Sequence, residues 1–368
     1  MLYLDNAATT SVKKEVLDVI IDAMKNHWAN PSSVYEFGLE SKRIIENARC
    51  IIANSINAEP NEIIFTSGAS EANALAIDGF LNANKNTYFI TSNIEHSSIP
   101  SFKANNLVYT NGSGLILPNK LDTKLNRVTH ANKLVSIMSA NNEIGTINNI
   151  SALSNIAHKY DAIFHTDATQ YYPYYKIDVK SMGIDMMSVS GHKFGCPKGI
   201  GFLYVKKGIT LSPIIYGTQN NGLRGGTENL PYIVGMAKAV ELLDYSKEKE
   251  LKEKWDYCLD KIYQMNVYNP IYLNGHPADR LSNNINIQID SIDAQMLIAL
   301  LDVNGVCVSA GSACHAGDKE PSHVLKAIGL SDKEAKESIR ITLSETITYE
   351  QIDKFVKTLE MILTQIMS

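Results

Sequence analysis

From Glu62 to Val205 the chain repeats one unit: a short apolar run, a turn of small or polar residues, then a stretch with helical spacing. Glu62-Ile63-Ile64-Phe65-Thr66 runs into Ser67-Gly68-Ala69-Ser70-Glu71 and a helix carrying Ala74, Leu75 and Ile77. The run at 87–91 leads to Glu95-His96 and a short helix. The run at 134–138 leads to Asn141-Asn142-Glu143-Ile144-Gly145 and a helix over 153–158. Ala162-Ile163-Phe164 leads to His165-Thr166-Asp167. Such alternation predicts an α/β fold, a mostly parallel sheet covered on both faces. In such sheets the binding crevice lies beyond the carboxyl ends of the strands. Ser67, Ser70, His96, Asn142, Asp167 and Lys193 all fall just after strand-like runs.

Lys193 sits in Ser190-Gly191-His192-Lys193-Phe194-Gly195-Cys196-Pro197, a stiff Gly- and Pro-bearing turn between the runs 185–187 and 201–205. A lysine held there can form a Schiff base, provided its surroundings keep part of it neutral. Asp167 closes an earlier run. An acid at one strand end and a lysine at another are the two anchors that a pyridoxal phosphate ring requires, the amine for its aldehyde and the carboxylate for its ring nitrogen. The turn at 67–70, before a helix, offers backbone N–H groups and two hydroxyls to an anion.

The chain has 368 residues, 45% of them hydrophobic, enough to bury a full core and to divide into two lobes. A net charge of −5 argues against nonspecific nucleic-acid binding, which needs a basic face. Neither a membrane span nor a secretory signal is expected from the sequence. Cys50, Cys196, Cys258, Cys307 and Cys314 form no C-x-x-C pair, which favours reduced thiols and a cytoplasmic location.

Outside the repeat, Val12, Val16, Val19, Ile20 and Ala23 predict one face of a helix, and Ser33 is a candidate cap for the next. Residues 230–265 read as long helices joining two lobes. Asn284-Ile285-Asn286-Ile287-Gln288-Ile289 alternates strictly, which predicts a half-buried strand. Residues 296–301 read as a helix, 305–308 and 338–343 as strands, 311–318 as a Gly-rich loop, and 349–362 as a closing helix.

Taken together, these blocks resemble the cysteine desulfurases of the NifS/IscS type, pyridoxal-phosphate enzymes of the class V aminotransferase family. Further matching blocks are Tyr3-Leu4-Asp5-Asn6-Ala7-Ala8-Thr9-Thr10, Asn30-Pro31-Ser32-Ser33, Asp167-Ala168-Thr169-Gln170, Leu223-Arg224-Gly225-Gly226-Thr227-Glu228-Asn229, Ser309-Ala310-Gly311-Ser312-Ala313-Cys314 and Ser338-Ile339-Arg340. They span nearly the whole chain in the family's order. The Cys314 block looks like the group with the longer cysteine loop.

The resemblance implies fold type I of the pyridoxal-phosphate transferases. A large cofactor-binding domain would span 12–250, and a smaller α+β domain would comprise 1–11 and 251–368. It implies that Lys193 holds the cofactor and moves protons, that Asp167 keeps the ring nitrogen protonated, and that His96 stacks on the ring and passes a proton. Gln170 and Asn142 would meet the ring hydroxyl. Ala69, Ser70, Ser190 and His192 would hold the phosphate. Thr227 would reach the phosphate of the other subunit of a homodimer. Arg340, with Asn142 and Asn30, would bind the carboxylate-bearing substrate, L-cysteine. Cys314 would take its sulfur as a persulfide, for transfer to an acceptor protein serving iron–sulfur assembly or tRNA thiolation. The alternatives are selenocysteine lyase or another class V activity, and a non-catalytic sulfur-delivery protein on the same fold.

Cys307 reads as a strand residue of the core and His165 as packing. Arg224 reads as support for a dimer loop. His315 and His323 near Cys314 do not close a metal ligand set, so no metal is expected. The chain departs from the family at Cys196, where glycine is usual. A side chain there is acceptable only if the backbone needs no positive φ, and it would put a second thiol near the cofactor. Tyr35, Tyr216-Gly217-Thr218 and Ser344 are further departures, bearing on partner loops and dimer edges.

Overall fold

The computed structural model describes residues 1–311 and 321–367. A short strand, β1 (Leu2–Tyr3), precedes helices α1 (Lys14–Asn26) and α2 (Glu36–Ser55). Next come β2 (Ile63–Thr66), α3 (Ala69–Ala83), β3 (Thr87–Ser92), β4 (Asn106–Val108), α4 (Pro118–Leu125), β5 (Asn132–Ser136), α5 (Ile150–Lys159), β6 (Ile163–Asp167), β7 (Met186–Ser190) and β8 (Gly201–Val205). Helices α6 (Leu230–Glu241) and α7 (Glu248–Tyr263) lead to β9 (Ile271–Leu273), β10 (Asn284–Ile289), α8 (Ala294–Val303) and β11 (Val306–Cys307). The chain closes with α9 (His323–Ala327), α10 (Asp332–Lys336), β12 (Ser338–Thr342) and α11 (Tyr349–Met367). None of the described helices is long and apolar enough to cross a membrane.

Seven strands form the main sheet in the order β2-β8-β7-β6-β5-β3-β4. Only β8 runs against its neighbours, pairing antiparallel with β7 and β2. The reversal has a local cause. The turn from β7 to β8 is short, so the chain must return beside the strand it left, which an antiparallel pair permits and a parallel pair does not. Lys193 lies in that return. Gly201, where β8 begins, allows close approach: a Cβ there would meet the Val189 carbonyl at 2.5 Å and Gly68 Cα at 2.7 Å.

Alternate side chains of the sheet enter opposite cores. Phe65, Phe164, Val189 and Phe202 pack with Val16, Ile20, Ile45 and Ile52 of α1 and α2. Ile64, Leu134, Met186 and Leu203 face Leu75, Ile77 and Phe80 of α3. A separate core gathers Leu2 and Leu4 with Trp255, Ile285, Ile287, Leu297, Ile339, Ile341 and Phe355. There β10 lies between β12 and β9, antiparallel to both, and β1 pairs parallel with β11.

Three local expectations change. Val12 precedes α1 and is exposed; the buried face of that helix is Val16, Ile20 and Ala23. Ser33 does not cap α2, which starts after Tyr35 with no side-chain cap. The largest change concerns β10, which is buried on both faces and not one. Its polar residues satisfy other buried groups: Asn286 Nδ2 donates to the Glu143 carbonyl (3.0 Å), and Gln288 Nε2 to Glu337 (3.1 Å). Alternation correctly marks two unlike faces, but the polar face covers the loop at 141–145 instead of meeting water.

Candidate active site

A cavity of about 340 Å³ opens at the carboxyl ends of the main sheet. Its floor comes from that topology: Asp167 ends β6, Ser190 ends β7, and Ser67-Gly68-Ala69-Ser70 joins β2 to α3. His96 follows β3, Asn142 follows β5, and Arg340 reaches in from β12.

Lys193 Nζ donates to the Ala7 and Ala8 carbonyls at 2.6 and 2.7 Å. Gln170 Nε2 shares the Ala7 carbonyl at 3.0 Å. The N-terminal segment therefore roofs the lysine. It is held there by Thr10, whose hydroxyl donates to the His192 carbonyl and accepts from Gly195 N–H (2.9 and 2.8 Å). Asp167 is buried. Its Oδ2 accepts from Asn73 Nδ2 at 2.8 Å and its Oδ1 from Thr169 N–H at 3.0 Å. His165, two residues earlier, is clamped between Ser136 and Ser188 at 2.8 and 3.0 Å. Burial pushes its ring down to about 4, so it is a neutral brace beneath Asp167.

The anion end combines the first N–H groups of α3, which no side chain caps, with Ser70, Ser190 and His192. Burial, reinforced by the charges of Lys193 and Lys198, pushes His192 down to about 4. A neutral His192 can donate a hydrogen bond without adding charge. Lys198 lines this end too, a cation the sequence argument did not single out.

At the other end Arg340 is buried and oriented from two sides. Nη2 donates to Asp5 Oδ1 at 2.7 Å and Nη1 to the Asn142 carbonyl at 3.0 Å. Its Nε is buried with no partner among the described residues, a donor in need of an acceptor. A carboxylate entering the cavity would supply one.

Of the expected site residues, Lys193, Asp167, His96, Gln170, Asn142, Ala69, Ser70, Ser190, His192 and Arg340 line this one cavity. Asn30 and Thr227 are exposed and do not line it within this chain. Cys314 lies outside the described residues. Cys196, expected near the cofactor, does not line the cavity. It is buried against Gly191 and Ile200 in the core, at an ordinary negative φ, and burial pushes its thiol up to about 12. Arg224 pairs with Glu71 at 2.8 Å. Among the described residues no group of His, Cys, Asp and Glu could hold a metal ion.

The class-V aminotransferase family model matches residues 2–355. The chain belongs to the class-V aminotransferase family. This family member is 41% identical to the cysteine desulfurase IscS of Dictyoglomus turgidum, over 99% of this chain and 95% of that one. Its fold matches a NifS-like protein from Rickettsia africae with a TM-score of 0.90 at 32% identity, covering 99% of each chain. SspA, solved in complex with cysteine, superimposes with a TM-score of 0.81 at 35% identity, over 93% of this chain and 99% of that one. Family members are pyridoxal-phosphate enzymes, and the donor set here fits that group. An amine, a buried carboxylate, an uncapped helix start and an imidazole are the contacts its aldehyde, ring nitrogen, phosphate and ring face require.

Asn73 and Asp5 were missed as site-shaping residues. Asn73 did leave a signal, as a lone polar residue among Ala72, Leu75 and Ala76 on a buried helix face. Asp5 left none, since its partner is set by chain packing.

Proposed function

We propose that this protein is a cysteine desulfurase, converting L-cysteine and an acceptor to L-alanine and a persulfide on Cys314. The carrying observation is that one cavity holds Lys193, Asp167 and His96 together with an arginine whose Nε has no partner among the described residues. Pyridoxal phosphate, when bound, supplies a ring that withdraws electrons from the substrate α-carbon. Asp167 holds the proton on the ring nitrogen, and the α3 N-terminus with Ser190 and His192 holds the phosphate. Gln170 and Asn142 orient the ring hydroxyl. Arg340 takes the substrate carboxylate, fixing which bond at the α-carbon faces Lys193. Lys193 Nζ moves the α-proton. The Cys314 thiolate attacks the substrate sulfur: the S–S bond forms as the C–S bond breaks, and the carbon left with the electron pair takes a proton, giving alanine.

The protein acts as a homodimer in the cytoplasm, passing sulfur to an acceptor that serves iron–sulfur assembly or tRNA thiolation. Supporting the dimer, Leu17, Ile21, Met24 and Trp28 recur every three or four residues along and just after α1 and are all exposed apolar side chains, as is Val34. Thr227 reaches the phosphate of the partner's cofactor, a role its exposure leaves it free to take. The large domain spans 12–250 and the small domain 1–11 with 251–368, a division supported by the separate core that unites Leu2 and Leu4 with residues after 250.

The test is to incubate the holoenzyme with L-cysteine, quantify alanine, and locate the added sulfur by mass spectrometry. One extra sulfur on Cys314 is expected. Absence of alanine, or sulfide release undiminished in Cys314→Ala, would sink the proposal. Light scattering on the eluting protein checks the dimer.

A further inference from the structure

A buried amide joins the two groups that flank the ring site. Asn73, on α3 and without solvent exposure, donates through Nδ2 to Asp167 Oδ2 and to Ser98 Oγ, both at 2.8 Å. Turning that amide over would set its oxygen against the carboxylate, acceptor against acceptor, so charge fixes its orientation. Ser98 Oγ accepts from Asn73 and keeps its own proton for His96 Nδ1, at 2.7 Å. The Ser98 backbone N–H points at the same Nδ1, at 3.2 Å. A backbone N–H can only donate. Nδ1 therefore presents a lone pair, and neutral His96 carries its proton on Nε2.

We infer that Asn73 and Ser98 are positioning residues: they hold Asp167 in place and lock His96 as the Nε2–H tautomer, so that His96 meets the cavity as a hydrogen-bond donor and not as a base. The Nδ1–H tautomer, the one able to accept a proton at Nε2, would aim its hydrogen at the Ser98 N–H and lose that bond, and Ser98 Oγ would have to accept from both Nδ1 and Asn73, leaving its own proton without His96 as acceptor. Proton removal at the substrate then falls to Lys193, while His96 orients what lies over the ring. The link to a reaction rests on the desulfurase reading; the tautomer does not.

The experiment is a long-range ¹H–¹⁵N correlation on holoenzyme labelled with ¹⁵N-histidine, with His96→Gln to assign the resonance. A protonated Nε2 and an unprotonated Nδ1 are expected. Ser98→Ala, at a half-buried position that leaves the fold intact, should move the tautomer ratio by about fivefold toward Nδ1–H, the weight of one ordinary hydrogen bond. Ser98→Thr should restore it. In steady-state kinetics Ser98→Ala should lower kcat with KM unchanged. An Nδ1–H or evenly mixed wild type, or a ratio indifferent to Ser98→Ala, overturns the inference. The outcomes separate from those of the desulfurase test. An Nε2–H protein that makes no alanine sinks that reading alone, and an active desulfurase with Nδ1–H His96 sinks this one alone.

Discussion

Arg340 and Asp5, from opposite ends of the chain, form an ion pair 2.7 Å long in which the arginine side chain is 1% exposed and the aspartate 16%. The pair sets the guanidinium plane before any substrate arrives. Nε, with no partner among the described residues, is left to meet a carboxylate.

Removing the countercharge should make the protein lean on its ligand. Asp5→Asn is expected to lower unfolding free energy by about 3 kcal/mol, the low end for breaking a buried pair, because Asp5 keeps some solvent. Added L-alanine should then raise the denaturation midpoint more in the variant than in wild type, its carboxylate partly replacing that of Asp5. Equal shifts would show that Arg340 does not meet the carboxylate.

Arg340→Lys keeps the charge and loses the fork. Loss of one charge-assisted hydrogen bond costs about 1.5–3 kcal/mol, so kcat/KM for L-cysteine should fall roughly 10- to 100-fold. The pyridoxal-phosphate absorbance should be unchanged. A drop confined to cofactor content would assign Arg340 a different task.

Glu95 gives a pH signature. It lies buried beside the site, with Oε1 accepting from Ser92 Oγ and from Met138 N–H, and burial pushes its carboxyl up to about 8. Between the ordinary value of 4.5 and about 8 the folded protein holds a proton that the unfolded chain releases, so stability falls as pH rises through that window. His165 and His192, pushed down to about 4, act oppositely, but only up to their ordinary value of 6.5. From 6.5 to 8 Glu95 alone of the three remains, with a slope of at most about 1.4 kcal/mol per pH unit. Urea unfolding across that interval should show wild type losing stability while Glu95→Gln stays flatter; parallel curves would refute it.

Cys196 should be inert. With its thiol pushed up to about 12 by burial and 1% exposed, it should resist alkylation in native protein under conditions that modify accessible thiols. Cys196→Ala should retain turnover and cost about 1 kcal/mol, the loss of a small buried group. Rapid native alkylation of Cys196 would contradict its place in the core.

The site was legible in sequence to the extent that strand direction controls it. Ser70, His96, Asn142, Asp167 and Lys193 each follow an apolar run, and parallel strands bring all their carboxyl ends to one edge. What local pattern could not carry was the identity of facing groups. The alternation in β10 announced a polar face but not that Glu143 and Glu337 would cover it. Cys196 lies three residues from Lys193, yet its side chain turns into the core.

The sequence by itself determined the α/β layering, the cofactor-binding edge and the resemblance to the class V family, because these follow from short-range periodicity and from blocks of adjacent residues. Only the tertiary structure decided that Ala7 and Ala8 roof Lys193, that Asp5 grips Arg340, and that Asn73 and Ser98 join Asp167 to His96. Each of those hydrogen bonds except the one from Ser98 to His96 joins residues far apart along the chain. Spacing along a strand or helix records which way a side chain points, and packing alone decides what it meets.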